Sequence, residues 1–173
     1  MPHFDEIAKS AGQLIHFTSM ATGQSVSFPA FITSFSDNYN VGWAGSTNFG
    51  RVDPVKSYQS TTRSISAVFD ILGRNKNIAV DNFKKYTTLI RMLYPAYGEQ
   101  IGPNPNVRTI KASPLMRIKY SNYIFSENDA IGLLGTFQGV VFTPDFKAGH
   151  FLDEAGGGDP IMVPLAYALS FNF

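Results

Sequence analysis

The three histidines are the first side chains to consider for catalysis or metal binding. They stand at His3, His16 and His150, a spacing that does not place two imidazoles on one face of a helix or strand. No Gly-x-Ser-x-Gly segment is present to position a serine nucleophile. Because the chain has no cysteine, thiolate metal sites, cysteine nucleophiles and disulfides are excluded. We predict that the protein is not an enzyme.

An acidic cluster surrounds a run of glycines near the carboxyl end. Asp153, Glu154 and Asp159 flank the triplet at 156–158, and carboxylates are ligands that Ca²⁺ uses. The regular oxygen-ligand spacing of an EF-hand is missing, so a solvated loop is the better interpretation. The triplet is no phosphate loop, because no Lys-Ser/Thr pair follows it. We predict no metal and no cofactor.

Alternation of apolar residues with period two predicts that most of the chain is β-structure. The segment from Ser60 to Leu72 is apolar on one face and mainly polar on the other, as in an antiparallel sheet with one buried side. The final segment is apolar at every odd position, which predicts one strand spanning roughly 40 Å. Pro29 and Pro164 predict edges or bulges, since proline cannot donate to a sheet ladder. The predicted strands are Gln24 to Ser36, Ser60 to Leu72, Pro114 to Tyr120, Ile131 to Thr143 and Ile161 to Phe173.

One helix is predicted with clear limits. Apolar residues recur at three and four positions from Ile78 to Tyr94, Asn77 is the candidate N-cap, and Pro95 ends the helix. The spacing from Phe4 to Phe17 predicts a short helix or a terminal arm within residues 1–24. We therefore expect a single domain over residues 1–173, a mainly antiparallel sandwich or open barrel with one packed helix.

The region from Asp37 to Tyr58 is predicted to be an irregular connection. It is rich in glycine, asparagine and serine and carries the only tryptophan, Trp43. Glycine, asparagine and serine are turn and loop residues, and a connection this long inside a compact domain is usually functional or reaches another molecule. We expect this region to be important for binding.

Composition favours a subunit of an assembly. Hydrophobic residues make up 44% of the 173 residues and aromatic residues 14%, whereas only 16% are charged. Aromatic residues are enriched and charged residues depleted at interface cores, so we predict that some aromatics contact another subunit; a purely internal aromatic core is the alternative. The formal net charge of +1 leaves no basic field for nucleic acid.

Neither a signal peptide nor a transmembrane helix is expected. The amino terminus from Met1 to Glu6 lacks a basic region followed by an apolar one. No stretch approaches about 18 consecutive apolar residues. We expect a product that stays in the cytoplasm where it is made, with no membrane partner.

An ordered series of short motifs runs from Trp43 to Phe173. The motifs are Gly50-Arg51-Val52-Asp53-Pro54-Val55, Tyr58-Gln59, Thr62-Arg63-Ser64-Ile65-Ser66, Tyr94-Pro95-Ala96-Tyr97 and Ser113-Pro114-Leu115-Met116-Arg117-Ile118. This order resembles the baseplate tube-initiator family of contractile-tailed bacteriophages. In that family an R-x-D-P segment precedes an R-x-I-x-hydrophobic strand, and a helix ending in Leu-Tyr-Pro and a P-P-L strand follow. Ser113 stands where the family often has another proline.

The resemblance implies a tail-tube type of fold, two antiparallel sheets in a sandwich or open barrel with one helix. It implies a homo-hexameric ring in the tail and baseplate of the virion, which initiates polymerisation of the tail tube. The ring would lie between the baseplate hub, or a second tube initiator, and the tail tube protein. The tape-measure protein and DNA would pass through the lumen, the DNA without specific binding, and the sheath would surround the outside.

Six residues are interface candidates. Two interpretations of Arg51 and Asp53 are open. They form an ion pair that braces the loop or joins subunits, or Asp53 and Pro54 only set the geometry of a turn. Arg63 either pairs with Asp53 or extends to solvent. The full set is Trp43, Arg51, Asp53, Pro54, Tyr58 and Arg63.

Three other functions stay open. The chain could be the major tail tube protein, which would polymerise without a hub. An outer-membrane β-barrel would account for the alternating final strand that ends in Phe173. In a carbohydrate-binding β-sandwich, Trp43 or nearby tyrosines would stack on sugar rings.

Overall fold

The computed structural model describes residues 12–29, 31–47, 49–50, 52–100, 108–126, 132–153 and 161–173. These residues form twelve strands and one helix. The elements are β1 Leu14–Ser19, β2 Ser25–Pro29, β3 Phe31–Ser46, β4 Val55–Leu72, α1 Lys76–Met92, β5 Ala96–Gln100, β6 Arg108–Ala112, β7 Leu115–Tyr120, β8 Leu133–Thr136, β9 Gly139–Pro144, β10 His150–Asp153, β11 Ile161–Pro164 and β12 Ala166–Asn172.

Two four-stranded antiparallel sheets make up the body. The first sheet has the order β2-β1-β7-β8 and the second sheet the order β3-β4-β12-β9. Two further pairs, β10-β11 and β5-β6, lie outside these sheets. The predicted fold class, mainly β with antiparallel sheets and one helix, is confirmed for the described residues.

Aromatic side chains fill the space between the two sheets. Phe17 of the first sheet is fully buried and lies 6.4 Å from the ring of Phe69 and 5.6 Å from that of Phe171, both in the second sheet. The predicted apolar face of β4 is the buried one, because Ile65, Ala67, Phe69 and Ile71 are all buried. Burial of these faces holds the sheets together.

The predicted helix is confirmed, with a different cap. The Asn75 side chain accepts a hydrogen bond of 3.0 Å from the backbone N–H of Ile78, so Asn75 caps α1 rather than Asn77. The helix ends at Met92, before Pro95. Each fully buried residue of α1 lies one position before a member of the predicted apolar stripe. The stripe residues themselves are only partly buried, and they are Val80, Phe83, Tyr86, Thr87, Ile90 and Leu93. The buried set is Ala79, Asn82, Leu89 and Met92.

The amino-terminal prediction differs from the structure. Leu14 to Phe17 belong to β1, which pairs with β2 and β7, rather than to a helix; residues 1–11 lie outside the described part of the chain. The spacing that suggested a helix also places Ile15 and Phe17 on one side of a strand, and both are fully buried. Pairing on both edges of β1 therefore decides its conformation.

Three predicted strands are each divided between two sheets or pairs. Residues 24–36 become β2 and β3, residues 131–143 become β8 and β9, and the final segment breaks at Leu165 into β11 and β12. Pro29 ends β2, an edge strand, as expected. A chain that supplies strands to two facing sheets must leave one sheet before it enters the other. The alternation of apolar and polar residues does not show at which residue the chain leaves the first sheet.

Candidate assembly interface

Most of the region predicted to be irregular is instead β-structure. Residues from Asp37 to Ser46 form the outer part of β3 and those from Val55 to Tyr58 the start of β4, and the described residues between them are in no strand. Glycine, asparagine and serine have low strand propensity, which misled the sequence interpretation. Cross-strand backbone pairing with β4 overrides that propensity, and Ser46 pairs with Val55 at the far end.

This hairpin extends beyond the body. The pairing of β12 with β4 stops at Ser66, and the backbones of Phe173 and Ile65 exchange the last two hydrogen bonds. Beyond this point β4 pairs only with β3, through the nine β3 positions from Asn38 to Ser46. At roughly 3.3 Å per residue these positions span roughly 30 Å. We call residues 38–64 the arm. None of its described residues is buried.

One side of the arm continues the core-facing side of the second sheet. Asp37 pairs with the buried Ile65, and Tyr39 and Val41 follow on the same side. A bulge between Gly42 and Trp43 then brings Trp43 opposite Tyr58, with ring centroids 5.6 Å apart at 77°. We call this side the inner face of the arm.

The inner face presents exposed aromatic rings beside Arg63 and Lys56. Tyr39 is 61% exposed, and Trp43 and Tyr58 are each 57% exposed. Two of the interface candidates from the sequence therefore meet, as a ring pair open to solvent. The signal for this face was present in the alternation of Tyr39, Val41 and Trp43, but the intervening glycine and asparagine residues concealed it.

Arg63 is held at the base of the arm by Asp37. Its Nε donates to Oδ1 of Asp37 at 2.9 Å and its Nη2 to Oδ2 at 2.6 Å. Hydrogen bonds from Arg63 are the main cause that lowers the pKa of Asp37. The guanidinium also lies 5.1 Å from the centre of the Tyr39 ring. The partner of Arg63 is thus Asp37, a residue that the sequence analysis did not single out, and not Asp53.

The end of the arm is fully exposed. Phe49 and Val52 have relative exposures of 110% and 100%, and Asp53 and Pro54 are exposed beside them. Arg51 lies outside the described residues, so an Arg51–Asp53 ion pair stays a prediction. We call the described residues between β3 and β4 the tip.

The opposite side of the second sheet, its outer face, carries almost no charge. On the arm its paired positions include Asn38 with Ser64 and Asn40 with Thr62, and on the body it continues through Ser170 and Asn172. Among the described paired positions of this face, Asp70 is the single ionisable residue. Neutral side chains thus cover the outer face from the arm to β9, with small polar groups next to the apolar Val68, Leu72 and Val141.

Within the described residues no group of three or more histidine, cysteine, aspartate or glutamate side chains is placed to hold a metal ion. The helix that the structure describes is not long and apolar enough to cross a membrane.

The described residues thus define a mainly antiparallel β-sandwich with one packed helix and a protruding two-stranded arm. No protein-family model matches the chain, and no curated protein matches its sequence. A chain in the tail of an empty GTA particle, determined by helical refinement with C6 symmetry, is similar over 94% of this chain and 90% of its own, with a TM-score of 0.36 and 11% identity. A chain in the six-fold symmetrised cryo-EM structure of the anti-feeding prophage baseplate is similar over 91% of this chain and 85% of its own, with a TM-score of 0.33 and 10% identity.

Proposed function

We propose that this protein forms a homo-hexameric ring at the junction between the baseplate and the tail tube of a contractile-tailed bacteriophage, where it initiates polymerisation of the tube. The order of the motifs from Gly50 to Ile118 supports this family. The single observation that carries the proposal is the arm, none of whose described residues is buried.

An isolated two-stranded hairpin is at best marginally stable in water. The arm of this protein is such a hairpin, and it also presents the apolar Tyr39, Trp43 and Tyr58 to solvent. Neither long edge of the arm is joined to a further strand among the described residues, since β3 is an edge strand and no described strand pairs with the other side of β4 beyond Ile65. Exposed edges and apolar patches of this kind invite pairing with another chain.

A closed ring provides that covering for every copy. In a ring built from heterologous contacts, each subunit uses one surface to bind its neighbour and a different surface to be bound. The inner face of the arm supplies the first of these surfaces. Trp43, Tyr58 and Arg63 then act at the interface between copies, and Arg51, Asp53 and Pro54 contribute near the tip.

The outer face of the second sheet suits the wall of a channel. Affinity for DNA rises with the number of phosphates that basic groups neutralise. The described paired positions of this face carry no lysine or arginine, and Asp70 is their one charge. A wall of neutral side chains that lacks basic groups allows DNA and a tape-measure protein to pass without being retained.

Negative-stain microscopy of the purified protein, without and with a candidate baseplate hub, tests the proposal. We expect discrete rings of six subunits. Long tubes formed without the hub would instead indicate the major tail tube protein. A monomer at high concentration that binds on a glycan array would indicate a carbohydrate-binding protein and would contradict the proposal.

Variants of Arg51 and Arg63 give a second test. Arg51→Ala and Arg63→Ala are expected to lower the yield of rings more than they lower the free energy of unfolding of the monomer. Loss of the Asp37 pair removes the clamp at the base of the arm, whereas the body keeps its core. Ring yields equal to wild type in both variants would count against these interface roles.

A further inference from the structure

A groove lies between α1 and β2, at the open edge of the first sheet. Its cavity has a volume of about 520 Å³, and its lining includes Ser25 and Val26 of β2 and Ile78, Asn82 and Lys85 of α1. Consecutive residues of a strand point to opposite faces of the sheet, so a cavity that contacts both Ser25 and Val26 lies along the edge of β2. This strand is the last in the order of its sheet, and no described strand pairs with its outer edge.

The outer edge of β2 offers main-chain hydrogen-bonding groups to a further strand. The N–H of Ser19 donates to the carbonyl of Gln24 at 2.8 Å, and this bond fixes the alternation along the β1–β2 ladder. In an antiparallel pair every second residue directs its N–H and C=O at the partner strand, and the residues between direct theirs away. Ser25 and Ser27 are therefore the residues of β2 whose N–H and C=O groups point out of the sheet.

A buried amide in the lining of the groove lacks an acceptor. Asn82 is only 3% exposed, and its Nδ2 has no hydrogen-bond partner among the described residues. The hydroxyl of Tyr167 donates to the backbone carbonyl of Asn82 at 3.0 Å, which holds this turn of the helix in place. Native proteins leave few buried donors unpaired, because each one costs free energy. A carbonyl oxygen brought into the groove by a bound segment would satisfy this donor.

The described surface of α1 beside the groove is mainly basic. Lys84 and Lys85 line the cavity, and Asp81 is the one acidic residue in its described lining. No ion pair joins either lysine to another described residue. Asp81 lies three and four positions before the lysines, so it can balance one of them. Arg91 continues the face of Lys84 one turn beyond the groove and keeps the surface positive, which favours an acidic partner.

We propose that the groove binds an extended acidic segment of a partner protein, which adds to β2 as a further strand. The main chain of the segment pairs with the outward groups of Ser25 and Ser27, and one of its carbonyls accepts a hydrogen bond from Nδ2 of Asn82. Its carboxylates lie near Lys84 and Lys85. In strand addition of this kind the main chain supplies affinity and the side chains supply selectivity. The inference goes beyond the proposed ring, because a single chain supplies every group of the site.

A labelled peptide of alternating threonine and glutamate is the probe, and fluorescence polarisation measures its binding to the purified protein. Threonine favours the extended conformation, and alternation places every carboxylate on one face of the peptide. The matched control peptide has lysine in place of glutamate. We expect the glutamate peptide to bind at least about tenfold more tightly than the lysine peptide, and its binding to weaken as the salt concentration is raised.

Ser25→Pro tests the main-chain pairing, with Ser25→Ala as its matched control. Ser25 is the first residue of β2, a position where proline is tolerated, so the variant loses the outward N–H and keeps the fold. Circular dichroism checks this. We expect Ser25→Pro to weaken binding of the glutamate peptide roughly tenfold and Ser25→Ala to stay within about twofold of wild type.

Asn82→Leu tests the buried donor. Leucine has a similar shape and no group that needs a partner, so the midpoint of urea unfolding should stay the same or rise, whereas binding of the glutamate peptide should weaken roughly fivefold. A fall in the midpoint together with wild-type binding would show that the amide serves the fold alone.

The outcomes separate strand addition from simple charge attraction and from the proposed ring. Failure of the glutamate peptide to bind more tightly than the lysine peptide would overturn the inference. Wild-type binding by Ser25→Pro or by Asn82→Leu would also overturn it, since charge alone would then hold the peptide, and so would an equal loss in Ser25→Ala. The expected losses in a protein that forms no rings would support the groove and contradict the proposed function. Rings without specific peptide binding would leave the ring and overturn the groove.

Discussion

Replacing Trp43 by alanine separates assembly from folding most clearly. Trp43 pairs with Tyr58 in the arm but is 57% exposed, so the monomer gains little from it. Loss of this cross-strand ring pair should lower the free energy of unfolding of the monomer by only about 0.2–1 kcal/mol. In a ring, by contrast, the exposed part of the indole is available to be covered by a neighbour.

The size of the assembly effect follows from the exposed area. A tryptophan side chain has roughly 250 Å² of surface, and 57% of it is roughly 140 Å². At about 25 cal/mol per Å², covering that area contributes about 3.5 kcal/mol. Ordering of side chains at the interface reduces the observed value, and we expect about 2–3 kcal/mol. The concentration needed for association should therefore rise roughly a hundredfold.

Sedimentation velocity over a concentration series measures this threshold, and urea unfolding measures the stability of the monomer. The matched control is Phe146→Ala, because Phe146 is 73% exposed but lies outside the arm. We expect the control to leave the threshold unchanged. A Trp43→Ala protein that assembles at the wild-type concentration would refute the role given to the inner face.

Three further predictions concern the monomer. Phe17→Ala should lower the free energy of unfolding by about 3–5 kcal/mol in urea titrations, because Phe17 is fully buried among other phenylalanine rings. Asn75→Ala should lower it by about 0.5–2 kcal/mol through loss of the cap, whereas Asn77→Ala, which does not cap, should have little effect in the same assay. Arg63→Met should lower the free energy of unfolding by about 0.5–1 kcal/mol at pH 6. Because Arg63 lowers the pKa of Asp37, this difference from wild type should shrink as the pH falls below about 4 and Asp37 becomes protonated. An unchanged difference at pH 2.5 would contradict the ion pair.

The strand and helix types of the body were largely predictable, because the local spacing of apolar residues indicates which side of an element is buried. On β4 the buried residues are the alternate apolar ones, and the buried residues of α1 recur at helical spacing. The candidate site was only partly predictable. Trp43 and Tyr58 were singled out separately, but only the register and the bulge after Gly42 bring them together.

Local periodicity thus determined that this protein is mainly β with one helix, since the side chains of a strand alternate whatever the strand pairs with. Tertiary structure alone decided where β2 ends and β3 begins, and where β11 ends and β12 begins. It also decided that Arg63 binds Asp37, 26 residues away in sequence, and that a glycine- and serine-rich stretch becomes the arm. These features depend on which distant backbone supplies the hydrogen bonds, and that information is not carried by any short window of the chain.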